Sequence, residues 1–327
     1  MIYDVIGDIH GQADKLVGLL TQLGYTLTSN QHGTYYTPPK NHRAIFIGDL
    51  IDRGEQEIKT LEIVFAMLDA GVADAVMGNH EYNALAFATL DTTNNDTKNK
   101  NGSYLRSHST VHQNQHKEFL AEVPFGSKLH QYWLQRFYEL PLWIETKHAC
   151  FVHACWDMDS MSILQPLLTN NHCLTPHGLQ TTAQKGSVPY NALERVLKGV
   201  ETPLPNGSFI LDKDGTKRRN VRVKWWLTPL NHRSIREIAR VPESAMNQIP
   251  SDAKADAVGF ELKTSKPIFV GHYWMNGTPK PLSKQVVCVD YSAAISSGYL
   301  TCYQFDTDNP MPLSEGNFTQ FNHHKIG

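Results

Sequence analysis

No stretch of this 327-residue sequence approaches the 18 consecutive apolar residues that a membrane-spanning helix needs. Positive charge is not in excess either. Thirty Lys and Arg stand against 32 Asp and Glu, a formal net charge of -2, which excludes a chain-wide basic surface for nucleic acid. Cysteine is scarce and scattered: Cys150, Cys155, Cys173, Cys288 and Cys302 are odd in number and form no C-x-x-C pair. That argues against a disulfide framework or a structural zinc and fits reduced thiols. The first residues lack the basic, apolar and small succession of a signal peptide, so a cytoplasmic location is expected, with no membrane partner. Internal repeats are also absent, and a single domain with elaborations is the simplest organisation for this length.

What is present is a rhythm. Residues 2–6 read as a short buried strand that stops at "GDIHGQ", where glycines, an acid and a histidine replace apolar residues. Ala13, Leu16, Val17, Leu20 and Leu23 then recur at helical spacing, and Gly24 follows as a stop. "AIFI" at 44–47 is a second strand, ending in "GDLIDRG", and Ile58, Leu61, Val64, Phe65 and Leu68 mark a second helix before Gly71. "DAVM" at 74–77 ends in "GNHE", and "ACFV" at 149–152 ends at His153. "PIFVGH" at 267–272, "QVVCVD" at 285–290 and "YLTCYQF" at 299–305 close the chain. This alternation predicts an α/β domain with its polar loops gathered at the strands' C-terminal ends. Polar residues dominate 92–116 and prolines recur through 157–262, so surface insertions are expected at about 91–128 and 157–262.

Five strands thus end in potential ligands: Asp8 and His10; Asp49 with Asp52 and Arg53; Asn79 and His80; His153; and His272. Any one of these is ordinarily a turn former or a hydrogen-bonded core group. Five at one sheet edge point instead to a metal centre. A two-metal site holds divalent ions roughly 3.5–4 Å apart, needs a carboxylate with an oxygen for each, and turns their bridging water into a hydroxide nucleophile. Asp49, between the first and third loops, is the expected bridge. Asp8 and His10 complete one ion, and Asn79, His153 and His272 the other. Mixed oxygen and imidazole donors suit manganese first, with iron and zinc as alternatives, over magnesium or calcium.

In content and order, "GDIHG", "GDLIDRG", "GNHE", the strand-final "VHA" and the strand-final "VGH" resemble the calcineurin-like metallophosphoesterases. The likeness is to the phosphoprotein-phosphatase branch, with its bacterial protein phosphatases and symmetrical diadenosine tetraphosphate hydrolases. It covers roughly residues 2–90, 141–157 and 267–306. The resemblance implies a four-layer α-β-β-α sandwich with two facing mixed sheets, and the same six ligands. It also implies that Arg53 holds phosphate oxygens with Asn79 beside it, that His80 protonates the leaving oxygen, and that Asp52 orients His80. One departure is informative. Many phosphodiesterases of the wider superfamily end in Gly-His-x-His, whereas this chain reads "GHYW" with Trp274 in the second position. That argues for the phosphomonoester or pyrophosphate branch and against a nuclease.

The resemblance implies a metal-dependent phosphatase acting on a phosphorylated protein or peptide. Hydrolysis of diadenosine tetraphosphate is the alternative, favoured by the tail "VVCVDYSAAISSGYLTCYQF"; a catalytically dead binding scaffold is a third reading, disfavoured by the complete ligand set. Other features read more plainly. His108, His112 and His116 are four apart, but no apolar stripe fixes a helix there, and a solvated lid is expected. Cys150 and Cys155 flank His153 yet form no Cys–His–acid motif, so a catalytic thiol is rejected. Val221, Val223 and Trp225 alternate with Arg222, Lys224 and Trp226, as in a strand with one buried and one basic face. Nine Lys or Arg between 213 and 240 form either an anion-binding groove, with a second phosphate-binding arginine, or a solvated face.

Overall fold

The computed structural model describes all residues except 31–32, 94–102, 212–216, 252, 256–257 and 323–327. Ile2–Ile6 is the middle of a six-stranded sheet. It pairs in parallel with His42–Phe46, which pairs in parallel with Ala73–Ala75, and antiparallel with Tyr299–Asp306 on its other side. Asp290–Tyr291 and Phe318–Phe321 both pair with Tyr299–Asp306. A second sheet of four runs in the order Val286–Cys288, Ile268–Val270, Cys150–Val152, Trp143–Glu145, parallel except for its last pair. Both sheets are therefore mixed, as expected.

Alternation along each strand explains why the sheets stack. Val5, Ile45, Phe151, Phe269, Val287, Tyr303 and Phe305 form one closed apolar layer between the sheets. Their immediate neighbours Ile6, Phe46, Cys150, Val270 and Cys288 point the other way, into a larger core shared with the helices. Strands buried on both faces read as continuous apolar runs, which is what the sequence carries. Ala13–Gln22 and Glu57–Asp69 follow the first two strands, closed near Gly24 and Gly71, both at positive φ. Helices outside two facing sheets make the α-β-β-α sandwich.

The two expected insertions contribute more to the core than their composition suggested. Phe119 and Val123 join the main core, as do Met161, Leu164, Leu179, Leu193, Val196 and Leu197 from the helices Met158–Leu164, Pro176–Thr182 and Val188–Lys198. The stretch around Leu204, Ile210, Val221, Ile235, Ala239 and Ile249 forms a small apolar cluster of its own. The strand–basic-face reading holds for Asn220–Val223, where Val221 and Val223 are buried. It fails one step later: Trp225–Leu227 is a 3-10 turn, and Trp225 and Trp226 are both buried. A tighter turn ends the period of two. No helix among the described residues is long and apolar enough to cross a membrane.

Candidate metal centre

Each predicted ligand sits just past the C-terminal end of a parallel strand, and the loops are laced together by backbone bonds. Ile9 and His10 both donate to the Asp49 carbonyl at 3.0 Å, and Gly11 donates to Leu50 at 2.9 Å. Two motif glycines are explained by close approach. A Cβ at Gly78 would lie 2.3 Å from Asp49 Oδ1, and one at Gly271 would lie 2.1 Å from Asp8 Oδ1. His10, Asp49, Asp52, Arg53 and His272 all have positive φ, between 50° and 77°. Such left-handed backbone in non-glycine residues costs energy and concentrates at functional sites.

Asp49 is the hub. Its Oδ2 lies 3.3 Å from His153 Nε2, 3.7 Å from His10 Nε2 and 3.9 Å from His80 Nε2, while Oδ1 accepts the His80 backbone N–H at 2.9 Å. Two groups of potential ligand atoms share it: His10, Asp49 and His80, and Asp49, His153 and His272, each within 4.8 Å. Asn79 Oδ1 is 3.2 Å from His153 Nε2. The imidazoles are pre-set for coordination. His10 Nδ1 meets the Ile51 carbonyl at 2.8 Å and His153 Nδ1 the Ile47 carbonyl at 2.7 Å, which turns each Nε2 lone pair inward. His272 Nε2 is buried without a hydrogen-bond partner among the described residues.

The charges fit cations. Burial raises the Asp8 carboxyl well above its ordinary value, and Asp290 and Asp49 nearby raise it further. Burial pulls His153 down, but the charge on Asp49, the bond to it and Asp8 push it up to about 10. Thus His153 Nε2 faces the oxygens of Asp49 and Asn79 across a gap that demands positive charge, and several buried carboxylates surround it. The donor set, its orientation and its charge all suit divalent ions.

Asp8 sits differently from the pattern expected of it. Both its carboxylate oxygens receive the His272 backbone N–H, at 3.2 and 3.1 Å, and it belongs to neither group of three ligand atoms, the first of which is His10, Asp49 and His80.

The acid pair is assembled next to this hub. His80 Nδ1 donates to Asp52 Oδ2 at 2.5 Å. Burial works against the Asp52 charge, yet hydrogen bonds from His116 and His80 hold its carboxyl down at about 2. Arg53 lies with its guanidinium 4.1 Å over the Trp274 ring, aiming Nη1 at His10 Nε2 (3.2 Å) and Nη2 at His80 Nε2 (3.3 Å). Trp274 itself is fixed through its backbone N–H, which donates to Asp290 Oδ2 at 2.6 Å.

Three contributors escaped the sequence reading. Glu81, present in the quoted "GNHE", accepts from the Asp49, Leu50 and Gly78 backbone N–H groups. Its signal was an acid at the third position of the helix Asn79–Ala88, where a side chain reaches back to the helix start. Asp290, which ends the apolar run "QVVCVD", accepts the Trp274 backbone N–H on Oδ2. His116, assigned to a solvated lid, is 5% exposed and donates from Nδ1 to Asp52 Oδ1 at 2.7 Å. His108 and His112 make other bonds: His108 Nε2 meets the Phe87 carbonyl at 2.7 Å and His112 Nδ1 the Ser107 carbonyl at 2.7 Å. Neither thiol is activated: burial pushes Cys150 up to about 12 and Cys155 well above its ordinary value.

A cleft of about 670 Å³ opens beside His80. Its walls carry Arg53, Arg106, Lys198, Arg218 and Arg222. Arg106 is held in place by Asn83 Oδ1 at 2.8 Å and Gln115 Oε1 at 2.7 Å. Of the basic residues between 213 and 240, Arg218 and Arg222 reach this cleft. Arg236 is turned to the Ile249 carbonyl, and Arg240 to the carbonyls of Tyr273 and Trp274. Lys213 lies outside the described residues.

Residues 1–162 match the family model described as calcineurin-like phosphoesterase. Over 80 residues the chain is 38% identical to an asymmetrical bis(5'-nucleosyl)-tetraphosphatase, PrpE, of Oceanobacillus iheyensis, covering 24% of this chain and 30% of that one. A protein of the same name from Geobacillus sp. strain WCH70 is 39% identical over 80 residues, 24% of this chain and 31% of that one. The chain spans about a third of the length of these relatives. A protein serine/threonine phosphatase from Saccharomyces cerevisiae superimposes with a TM-score of 0.51 at 13% identity, over 100% of this chain and 81% of that one, and shares the fold.

Proposed function

This chain belongs to the calcineurin-like phosphoesterases through residues 1–162, and on that premise we propose that it is a dinuclear-metal-dependent phosphatase. The observation that carries this reading is the sharing of Asp49 between two groups of potential ligand atoms, one with His10 and His80 and the other with His153 and His272. Asp49 would bridge two ions; His10 and Asp8 would serve one, and Asn79, His153 and His272 the other. Manganese is the first assignment for this donor mix, iron and zinc the alternatives. Bound there, the ions would supply Lewis acidity toward the phosphoryl oxygens and an activated water.

The side chains carry the remaining work. Arg53, stacked on Trp274, presents two donors from one plane and holds phosphate oxygens against the developing charge, with Asn79 close by. His80, its Nδ1 fixed on Asp52, turns Nε2 to the reaction side and delivers a proton to the leaving oxygen. Water adds at phosphorus as the P–O bond to the leaving group breaks, so a monoester yields an alcohol and inorganic phosphate, and a dinucleoside polyphosphate yields two nucleotides.

Our first reading of the substrate is a phosphomonoester on a protein or peptide. A second, a dinucleoside polyphosphate, is favoured by the cations lining the cleft, which suit a chain of phosphates, and by the relatives' names, which specify the asymmetrical reaction where the sequence resemblance suggested the symmetrical one. Metal-stripped protein should be reconstituted with Mn, Fe or Zn. It should then be assayed on phosphoserine, phosphothreonine and phosphotyrosine peptides, and on diadenosine tetraphosphate with product analysis. Turnover of one class restored by metal supports the function and selects the substrate. No turnover of any of them, with two ions bound, would leave the binding-scaffold reading standing.

A further inference from the structure

His116 comes from the first insertion, not from any of the five motif loops, yet it meets the acid pair directly. We propose that His116 is a positioning residue: by holding Asp52, it fixes the orientation of His80. The proposal rests on the reading of His80 as the leaving-group acid.

The geometry is that of a three-member relay with Asp52 in the middle. Asp52 Oδ2 accepts from His80 Nδ1 at 2.5 Å, and Oδ1 accepts from His116 Nδ1 at 2.7 Å. The Asp52 backbone N–H is tied to Glu57 Oε2 at 2.9 Å. A buried carboxylate with one side-chain donor can rotate about its terminal torsion, which is broad, and carry its partner imidazole with it. Donors on both oxygens remove that freedom. They also fill the acceptor capacity that burial would otherwise leave unmet.

His116 is itself well fixed. Its ring stacks on Phe119, with centroids 5.0 Å apart and planes at 26°, and meets Phe87 edge-on at 5.4 Å. Its backbone joins two short helices, donating to Gln113 at 3.1 Å and accepting from Leu120 at 3.1 Å. Its Nε2 is buried without a hydrogen-bond partner among the described residues, so Nδ1 carries its only polar contact. An imidazole packed on aromatic rings and committed through one nitrogen to Asp52 is built to hold that carboxylate. The insertion thereby reaches the acid pair through Asp52.

Two variants separate orientation from packing. His116→Leu keeps bulk and removes the donor, whereas His116→Asn keeps an amide N–H near the place of Nδ1. The first readout is independent of turnover: the NMR resonance of the His80 Nδ1 proton, shifted far downfield by its short bond to Asp52. The second is kcat and KM on an alkyl and on an aryl phosphate, in metal-reconstituted protein.

In His116→Leu the resonance is expected to shift or broaden away. Its kcat for the alkyl phosphate should fall about 10–100-fold, as for other outer-layer partners, with KM little changed and a much smaller loss on the aryl phosphate. His116→Asn should restore both. An unmoved His80 resonance in His116→Leu, or an Asn variant no better than Leu at equal thermal stability, would overturn the proposal. His80→Ala, with His116 intact, checks the underlying reading separately. Equal losses on both leaving groups in that variant would sink the acid assignment, whatever the His116 variants show.

Discussion

Glu81 receives the backbone N–H of Asp49 on Oε2 at 3.0 Å, so a helix residue from the third loop holds the hub of the second. The same carboxylate accepts from Leu50 at 2.8 Å and Gly78 at 2.9 Å. Three buried backbone donors therefore depend on one side chain. Glu81→Gln turns an amide NH2 toward some of them. Unfolding free energy should fall by about 2–3 kcal/mol, the cost of leaving a buried donor unpaired. Affinity for divalent metal should fall about 10–100-fold, because the Asp49 loop loosens. Denaturant unfolding and metal titration check the two effects; an unchanged metal affinity would mean that the loop holds Asp49 without Glu81.

Asp49 should be the most sensitive ligand, because its Oδ2 faces three imidazoles at 3.3–3.9 Å. Asp49→Asn keeps the shape and removes the shared charge. The expected result is loss of at least one ion per chain and of nearly all turnover. Metal content by elemental analysis after desalting is the measurement, alongside kcat. Two tightly held ions with near-normal turnover would assign the bridge elsewhere.

Glu57 gives the fold a pH dependence. Its carboxyl is fully buried, and burial, then the charge on Asp52 and the nearby Glu122, pushes it up to about 9. The folded protein thus holds a proton that the unfolded chain releases near pH 4.5. Since the folded state binds more protons, stability falls as pH rises from about 4.5 to 9, by at most about 1.4 kcal/mol per unit. Glu57→Gln removes that slope. In chelator-treated protein, the variant's stability relative to the parent should therefore grow steadily between pH 6 and pH 8. Parallel pH profiles would show that Glu57 is ionised in the fold.

How much of this was legible depends on sequence distance. Asp8 to His10, Asp49 to Arg53 and Asn79 to Glu81 each belong to one short loop after one apolar run, so spacing alone gathers them. The facing sheets were legible for the same reason, since runs such as "AIFI" need apolar cover on both sides. The Asp52–His116 contact spans 64 residues and joins a motif to a polar stretch with no apolar period. Nothing local marks His116 apart from His108 and His112; only Phe87 and Phe119, packed around it, make it a buried residue. Alternation extended past Val223 puts Trp226 on the solvent side, whereas the backbone tightens there into the 3-10 turn Trp225–Leu227.

The cleft cations bear on the substrate. Arg218 and Arg222 line its wall with Arg106 and Lys198. In water two unit charges 4 Å apart attract by about 1 kcal/mol, so two such arginines contribute on the order of tenfold in affinity for an extended anion. The double variant Arg218→Gln/Arg222→Gln should raise KM about tenfold at low salt for a polyphosphate or an acidic phosphopeptide, with kcat nearly unchanged. That difference should shrink as ionic strength rises and screening removes the attraction from the parent as well. A small aryl phosphate, held by Arg53 near His80, should respond far less. Measuring kcat/KM for both substrates at low and high salt decides it. An unchanged value for the large anion, with an unchanged salt slope, would make these arginines a solvated wall and return the weight of substrate choice to Arg53, Arg106 and Lys198.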